Sequence, residues 1–245
     1  MSKIEREKEF HNKAFGDDTR QVTDKYYLIA QSSRKYFTDL TKKCGHGMQV
    51  LEYGCGPGSS AFMLAQLGAI VKGIDISEVA IERARKLEDV KKLGVTFEVM
   101  NAVELSFDDN TFDMICGSGI LHHLQLDKAY SELARTLKPG GIAVFLEPLG
   151  HNILINMYRN RTPELRTDDE HPLLVGDIRL AYKYFDIVET RYFHLSSLGA
   201  VLLRNSPIFA PMLNFLESAD RLLFSLIPLL KRYAWAVVIV LGKSK

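Results

Sequence analysis

The sequence predicts an α/β protein built on a doubly wound, largely parallel sheet. Between Gln49 and Pro148, short β-branched or aromatic runs alternate with amphipathic helical patterns, the rhythm of strand–helix–strand units sharing one sheet. The first run, VLEY (50–53), stops at Gly-Cys-Gly-Pro-Gly, as a strand does when its backbone must reverse tightly beside a ligand. Size agrees with this reading. A chain of 245 residues, 47% hydrophobic and 25% charged, suits one core-burying domain with additions.

Residues 3–45 mix charges with aromatics at helical spacing: Phe10 and Phe15, then Tyr26, Tyr27, Ile29, Ala30, Tyr36, Phe37 and Leu40. They read as two or three helices that exit through Lys43-Cys44-Gly45-His46-Gly47. QVLEYG, IVKGIDI, VTFEVM, FDMICGSG and IAVFLEP follow as strands. Helical patterns at 60–67, 78–93 and 128–137 separate most of them; the second sets Val79, Ala80, Ile81, Ala84, Leu87 and Val90 against Glu82, Arg83, Arg85, Lys86 and Lys91. In LKPGG (137–141), Pro139 cannot continue a helix and the glycines permit the turn into a strand. Residues 149–176 are polar and turn-rich, with one helix at 152–159. FDIVETRYFHL (185–195) and AWAVVIVLG (234–242) read as further strands. Between them, 198–232 is strongly apolar and interrupted by Pro207, Pro211 and Pro228, which predicts a pair of amphipathic helices.

A formal net charge of +1 gives no broad electrostatic case for nucleic acid or an anionic membrane. Cys44, Cys55 and Cys116 form neither an even set nor a CxxC pair, so neither a disulfide framework nor a zinc ribbon is expected. The N-terminus MSKIEREKEFHNK is densely charged without an apolar core, and no apolar run approaches the ~18 residues of a membrane span. These features predict a cytoplasmic chain with no membrane span.

The glycine turn is Gly54-x-Gly56-x-Gly58, with Ser59 where the dinucleotide pattern G-x-G-x-x-G needs its third glycine, and no P-loop lysine follows. Asp75, in GIDIS, ends the next strand about twenty residues on, where a carboxylate accepts both hydroxyls of a ribose. Asn101-Ala102 follows the third strand and suits an adenine edge, through a side-chain amide and a backbone N–H. Three strand ends in order thus offer a close backbone approach, a sugar site and a base site.

The series EYGCGPG, GIDIS, NAVELSF, FDMICGSGILHHL and LKPGG resembles the class I S-adenosylmethionine-dependent methyltransferases over roughly residues 48–148. The resemblance implies a Rossmann-like sheet of seven strands with the last antiparallel. It implies S-adenosyl-L-methionine as cofactor, with S-adenosyl-L-homocysteine as product. It places Glu52, Gly54, Gly56 and Gly58 around the methionine moiety, Asp75 and Ile76 at the ribose, Asn101 and Ala102 at the adenine, and Gly117 and Ser118 beside the sulfonium. Asn101 stands where an aspartate is commoner. The implied organisation is an N-terminal helical lid (1–45) and a methyltransferase domain (46–245), which carries a substrate-side insertion (149–176) and an apolar helical insertion (198–232).

Methyl transfer is an in-line displacement that positioning alone accelerates strongly, and an oxygen acceptor of high pKa also needs a base. His122 and His123, just beyond the fourth strand, are the candidate bases, with Glu147 as the carboxylate that orients His122. His11 and Tyr26 in the lid, and His151, Arg161 and His171 in the first insertion, are candidate acceptor contacts, with Arg166 beside them. His151, Asp168, Asp169, Glu170 and His171 read as a solvated loop, so no metal is expected. Residues 198–232 read as a cap over an apolar acceptor or a homodimer surface, in preference to a monotopic membrane contact because the charges at 217, 220 and 221 are mixed. The predicted activity is methylation of a small organic acceptor, apolar or lipid-linked among the options, at oxygen in preference to nitrogen. The rivals are an RNA methyltransferase, disfavoured because no basic stripe or NPPY-type tetrapeptide appears; a nonenzymatic S-adenosylmethionine-binding protein; and an NAD-dependent oxidoreductase, disfavoured by Ser59.

Overall fold

A computed structural model of the chain describes residues 3–16, 28–58, 60–162 and 171–245. Seven strands form one sheet: β1 (Gln49–Tyr53), β2 (Ile70–Asp75), β3 (Thr96–Val99), β4 (Phe112–Ser118), β5 (Leu137–Pro148), β6 (Ile187–Phe193) and β7 (Ala236–Gly242). Their spatial order is β3-β2-β1-β4-β5-β7-β6. The pairs β1–β2, β1–β4, β2–β3 and β4–β5 are parallel, and β7 runs antiparallel to both β5 and β6. The expected α/β sheet with an antiparallel last strand is therefore present.

The helices are α1 (Lys3–Gly16), α2 (Gln31–Thr41), α3 (Ala61–Gln66), α4 (Glu78–Lys91), α5 (Leu126–Thr136), α6 (Ile153–Asn160), α7 (Val175–Leu180) and α8 (Phe209–Leu226). Successive strand residues point to opposite sides, so each central strand feeds two cores. Leu51, Tyr53, Ile115, Phe145 and Ile239 join Tyr130 and Leu133 of α5 on one face. Val50, Val71, Met114, Val144 and Val238 meet Phe37 of α2, Leu64 of α3 and Ile81 of α4 on the other. Ser77 caps α4 by accepting the Ala80 N–H at 3.2 Å, and Lys92, left-handed at φ 52°, ends it. Strand order reverses between β1 and β4, and such a switch point opens a crevice at the carboxyl ends of the strands.

Residues 198–232 differ from the expected helix pair. They form one long helix, α8, between two 3-10 segments, Ser197–Leu203 and Pro228–Tyr233. Pro211 sits in the first turn of α8, where its missing N–H had no intrahelical partner to lose, so it does not break the helix. In LKPGG, strand β5 already starts at Leu137. The ladder steps from Phe112–Leu137 to Met114–Ile142, so the proline and glycines bulge within the strand instead of preceding it. No helix among the described residues is long and apolar enough to cross a membrane.

Candidate functional site

One cavity of about 360 Å³ opens at the switch point. Its floor is the turn after β1, Gly54–Pro57, with Asp75 and Ile76 at the end of β2 on one side and Ser118, Gly119 and Ile120 after β4 on the other. Asn101 and Ala102, beyond β3, complete that end together with Ile74, Met100 and Val103. The volume falls within the roughly 300–1,000 Å³ of small-molecule sites.

The turn needs its glycines for two reasons. Gly54 (φ +72°) and Gly56 (φ +53°) adopt left-handed backbone, and a Cβ on Gly54 would lie 2.8 Å from the Ile120 side chain. A Cβ on Gly56 would reach within 3.3 Å of the Phe15 ring, which α1 lowers onto the turn. Asp75 fastens the same turn: its Oδ2 accepts the Gly56 N–H at 2.8 Å and its Oδ1 the Ser77 N–H at 2.9 Å. A carboxylate offers about four acceptor sites, so two remain for hydroxyl donors in the cavity. The Asn101 Oδ1 accepts the Val103 N–H at 3.2 Å, an Asx turn that fixes the bend after β3.

Three of the residues expected at the cofactor stand behind the cavity wall. The Glu52 carboxylate is buried and accepts the Ser60 and Ala61 N–H groups at 2.7 and 2.8 Å, satisfying the amino end of α3. Gly58 leaves room for Phe62 and Phe97, and Gly117 for the Tyr53 carbonyl, each closer than 3 Å or near it to an added Cβ. Tyr53, beneath the floor, donates its phenolic O–H to the Ala102 carbonyl. The Cys55 thiol is driven far up by burial, with the Glu52 and Asp75 charges adding to it, so it stays a thiol and is no nucleophile.

Helix α1 also lines the cavity, with Ile4, Glu7, His11 and Phe15. It is docked on the start of α4: the Ser77 hydroxyl donates to the Asn12 Oδ1 at 2.7 Å, and Lys8 pairs with Glu78 at 2.7 Å. Across from it, the 3-10 turn Leu121–His123 presents His123. The Glu7 Oε2 lies 3.2 Å from His123 Nδ1 and 3.5 Å from His11 Nε2. The His11 and His123 rings meet edge to face, 5.1 Å between centroids.

The two neighbouring histidines part company. His122 is buried and absent from the cavity wall; its Nδ1 lies 2.7 Å from the Glu147 Oε2, the pairing expected from sequence. The Glu147 Oε1 accepts the N–H groups of Ile120 and Leu121 at 2.9 Å each. This fully buried carboxylate thereby pins the segment that carries Ile120 and His123 into the cavity. Sequence alone cannot say which of the two adjacent histidines faces the cavity, because the turn Leu121–His123 decides it.

His151, Arg161 and His171 do not line the cavity, and neither does any residue of 198–232. Tyr26, Tyr27, Ser59, Arg166, Asp168, Asp169 and Glu170 lie outside the described residues. Glu7 was missed, although its signal was present: Glu7 and His11 share an i, i+4 face of a helix. Gln125 and Lys128, at the start of α5, also line the cavity without having been singled out.

Residues 51–145 match the family model described as a methyltransferase domain. The chain is 35% identical over 127 residues to the sterol 24-C-methyltransferase of Yarrowia lipolytica, covering 48% of this chain and 33% of that protein. It is 31% identical over 113 residues to a ubiquinone biosynthesis O-methyltransferase of Coxiella burnetii, covering 46% and 48%. The chain thus spans less than half the length of these curated relatives. Among solved structures, the Haemonchus contortus phosphoethanolamine N-methyltransferase 2 in complex with S-adenosyl-L-methionine superposes with a TM-score of 0.67 at 18% identity, over 96% of this chain and 60% of that one.

Proposed function

We infer that this chain, which carries a class I S-adenosylmethionine-dependent methyltransferase domain, moves a methyl group to a small organic acceptor, and to oxygen in preference to nitrogen. The observation that carries the reading is that a single cavity is lined both by a side-chain-free turn with two strand tips and by a carboxylate with two imidazoles. Its residues fit the donor: Gly54 and Gly56 leave the space a methionine tail needs, Asp75 keeps acceptor capacity for ribose hydroxyls, and Ile74, Met100 and Val103 give a purine apolar walls. When bound, S-adenosylmethionine supplies an electrophilic methyl on a sulfonium.

The protein's own work is largely positioning. Ser118–Ile120 line the cavity beside the glycine turn, and Glu147 holds their backbone at Ile120. Helix α1 lines the same cavity with Glu7 and His11 and seats Phe15 on the glycine turn. Glu7, His11 and His123 face the acceptor, which favours a protic oxygen nucleophile over an amine that is already neutral. The His122–Glu147 pair, being behind the wall, acts as a positioning element. The relatives' names span carbon, oxygen and nitrogen acceptors, so the preference for oxygen rests on this cluster.

The test is transfer of label from methyl-labelled S-adenosylmethionine into pools of small phenols, alcohols, carboxylates and amines. Labelling confined to hydroxylated pools is the expected result. Labelling of amines alone would contradict the oxygen reading, and tight donor binding without turnover in any pool would favour a nonenzymatic binder.

A further inference from the structure

We propose that Glu7, His11 and His123 form a zinc site at the acceptor end of the cavity, with its open coordination position facing the acceptor. The proposal deepens the methyl-transfer reading and rests on it for the identity of the acceptor, though not for the metal.

The geometry comes first. One ligand atom from each residue lies within 4.8 Å of the other two, and the carboxylate oxygen stands 3.2 Å from one imidazole nitrogen and 3.5 Å from the other. Tetrahedral zinc with bonds of about 2.0–2.1 Å separates its ligand atoms by roughly 3.3–3.4 Å. The two carboxylate–imidazole spacings match that separation, and the two imidazole nitrogens lie within 4.8 Å of each other. Both carboxylate–imidazole spacings are longer than the contact of a single strong charge-assisted hydrogen bond, roughly 2.7–2.9 Å.

The supports are rigid and independent. Glu7 and His11 sit one turn apart on a helix, the spacing that lets two side chains grip one ion. That helix is anchored by Asn12 and Lys8 on the start of α4. His123 rides on the turn whose backbone is held by the buried Glu147. All three side chains are largely withdrawn from solvent, the Glu7 side chain at 8% exposure, and all three line the cavity. Two imidazoles and one carboxylate with an open position are a donor set that suits catalytic zinc.

Such an ion gives the acceptor a defined chemistry. An alcohol or phenol coordinates through its oxygen, and its O–H proton passes to bulk water. An oxygen lone pair then forms the new C–O bond as the S–CH₃ bond breaks and the thioether leaves. Amines that are already neutral gain nothing from this site, which sharpens the preference for hydroxylated acceptors.

The experiment is a titration of chelator-stripped protein with Zn²⁺, and with Co²⁺ as a spectroscopic probe, together with calorimetry of S-adenosylhomocysteine on the same stripped sample. One equivalent of metal with a four-coordinate Co²⁺ spectrum is expected. His11→Ala and His123→Ala, checked for unchanged melting curves, are expected to weaken zinc by roughly 100-fold or more, since even groups that only orient ligands are worth 10–100-fold. Absence of stoichiometric binding to the unaltered protein would overturn the proposal, leaving a carboxylate shared by two imidazoles; so would affinity unchanged in both variants. If S-adenosylhomocysteine binds and zinc does not, the metal site alone fails; if zinc binds and S-adenosylhomocysteine does not, the donor reading fails instead.

Discussion

Replacing Glu147 tests how the segment that carries Ile120 and His123 is held in place. Its carboxylate accepts two backbone N–H groups at 2.9 Å and lies 2.7 Å from the His122 Nδ1, and all of this is buried. Glu147→Ala leaves three polar groups without this partner, at about 1–3 kcal/mol each, so a total of about 3–9 kcal/mol is expected. Glu147→Gln keeps a carbonyl oxygen for the two N–H groups and loses only the charge assistance, roughly 1–2 kcal/mol. For a chain of this length each kcal/mol lowers the melting temperature by about 2–4 °C, so the alanine variant should melt about 6 °C or more below the unaltered protein. Because Ile120 and His123 depend on the same anchor, the affinity for S-adenosylhomocysteine should fall in step with melting temperature. Thermal unfolding by circular dichroism and calorimetry measure both. An alanine variant melting within 2 °C of the unaltered protein, with unchanged affinity, would refute the idea that this carboxylate braces the site.

Asp75→Ala removes the acceptor that fastens the glycine turn and lines the cavity; if it holds the ribose as proposed, S-adenosylhomocysteine affinity should drop about 10–100-fold, and unchanged affinity in calorimetry would count against that assignment. Gly117→Ala places a Cβ 2.6 Å from the Tyr53 carbonyl oxygen, where backbone cannot give way, and should cost about 1–3 kcal/mol in urea unfolding. His194 carries a pH prediction: burial pushes its pKa down to about 4, against the opposing pull of Asp220, and its Nε2 lies 2.9 Å from the Ser33 hydroxyl. The unfolded chain therefore takes up the proton first, so stability is full above about pH 6.5 and is lost as pH falls toward 4, by about 2 kcal/mol at pH 5. An imidazole resonance of His194 that titrates near 6.5 in the folded protein would contradict this.

The sheet was legible because its signals are local. Short β-branched runs, the glycine turn and the capped helix at 78–91 each announce themselves within a dozen residues, and parallel alternation then dictates the winding. The part of the cavity lined by strand ends was legible for the same reason, since Gly54, Asp75 and Asn101 each stand at or just beyond the end of a strand. What the sequence hid depends on packing. Glu52, Gly58 and Gly117 sit in the right motifs, yet serve a helix end and close contacts behind the wall. Pro211 looked like a breaker and is a tolerated first-turn residue. Glu7 and His11 meet His123 only because α1 folds back over the sheet edge, and no spacing within one segment encodes that.

The central claim is that the cavity at the β1–β4 switch takes a sulfonium donor whose ribose meets Asp75. Calorimetric titration of the unaltered protein and of Asp75→Ala with S-adenosylmethionine, against NAD as the competing nucleotide, measures it most directly. One site for S-adenosylmethionine, weakened by the substitution, with no heat from NAD, is the predicted outcome. Binding of NAD with none of S-adenosylmethionine, at the same site, would contradict it.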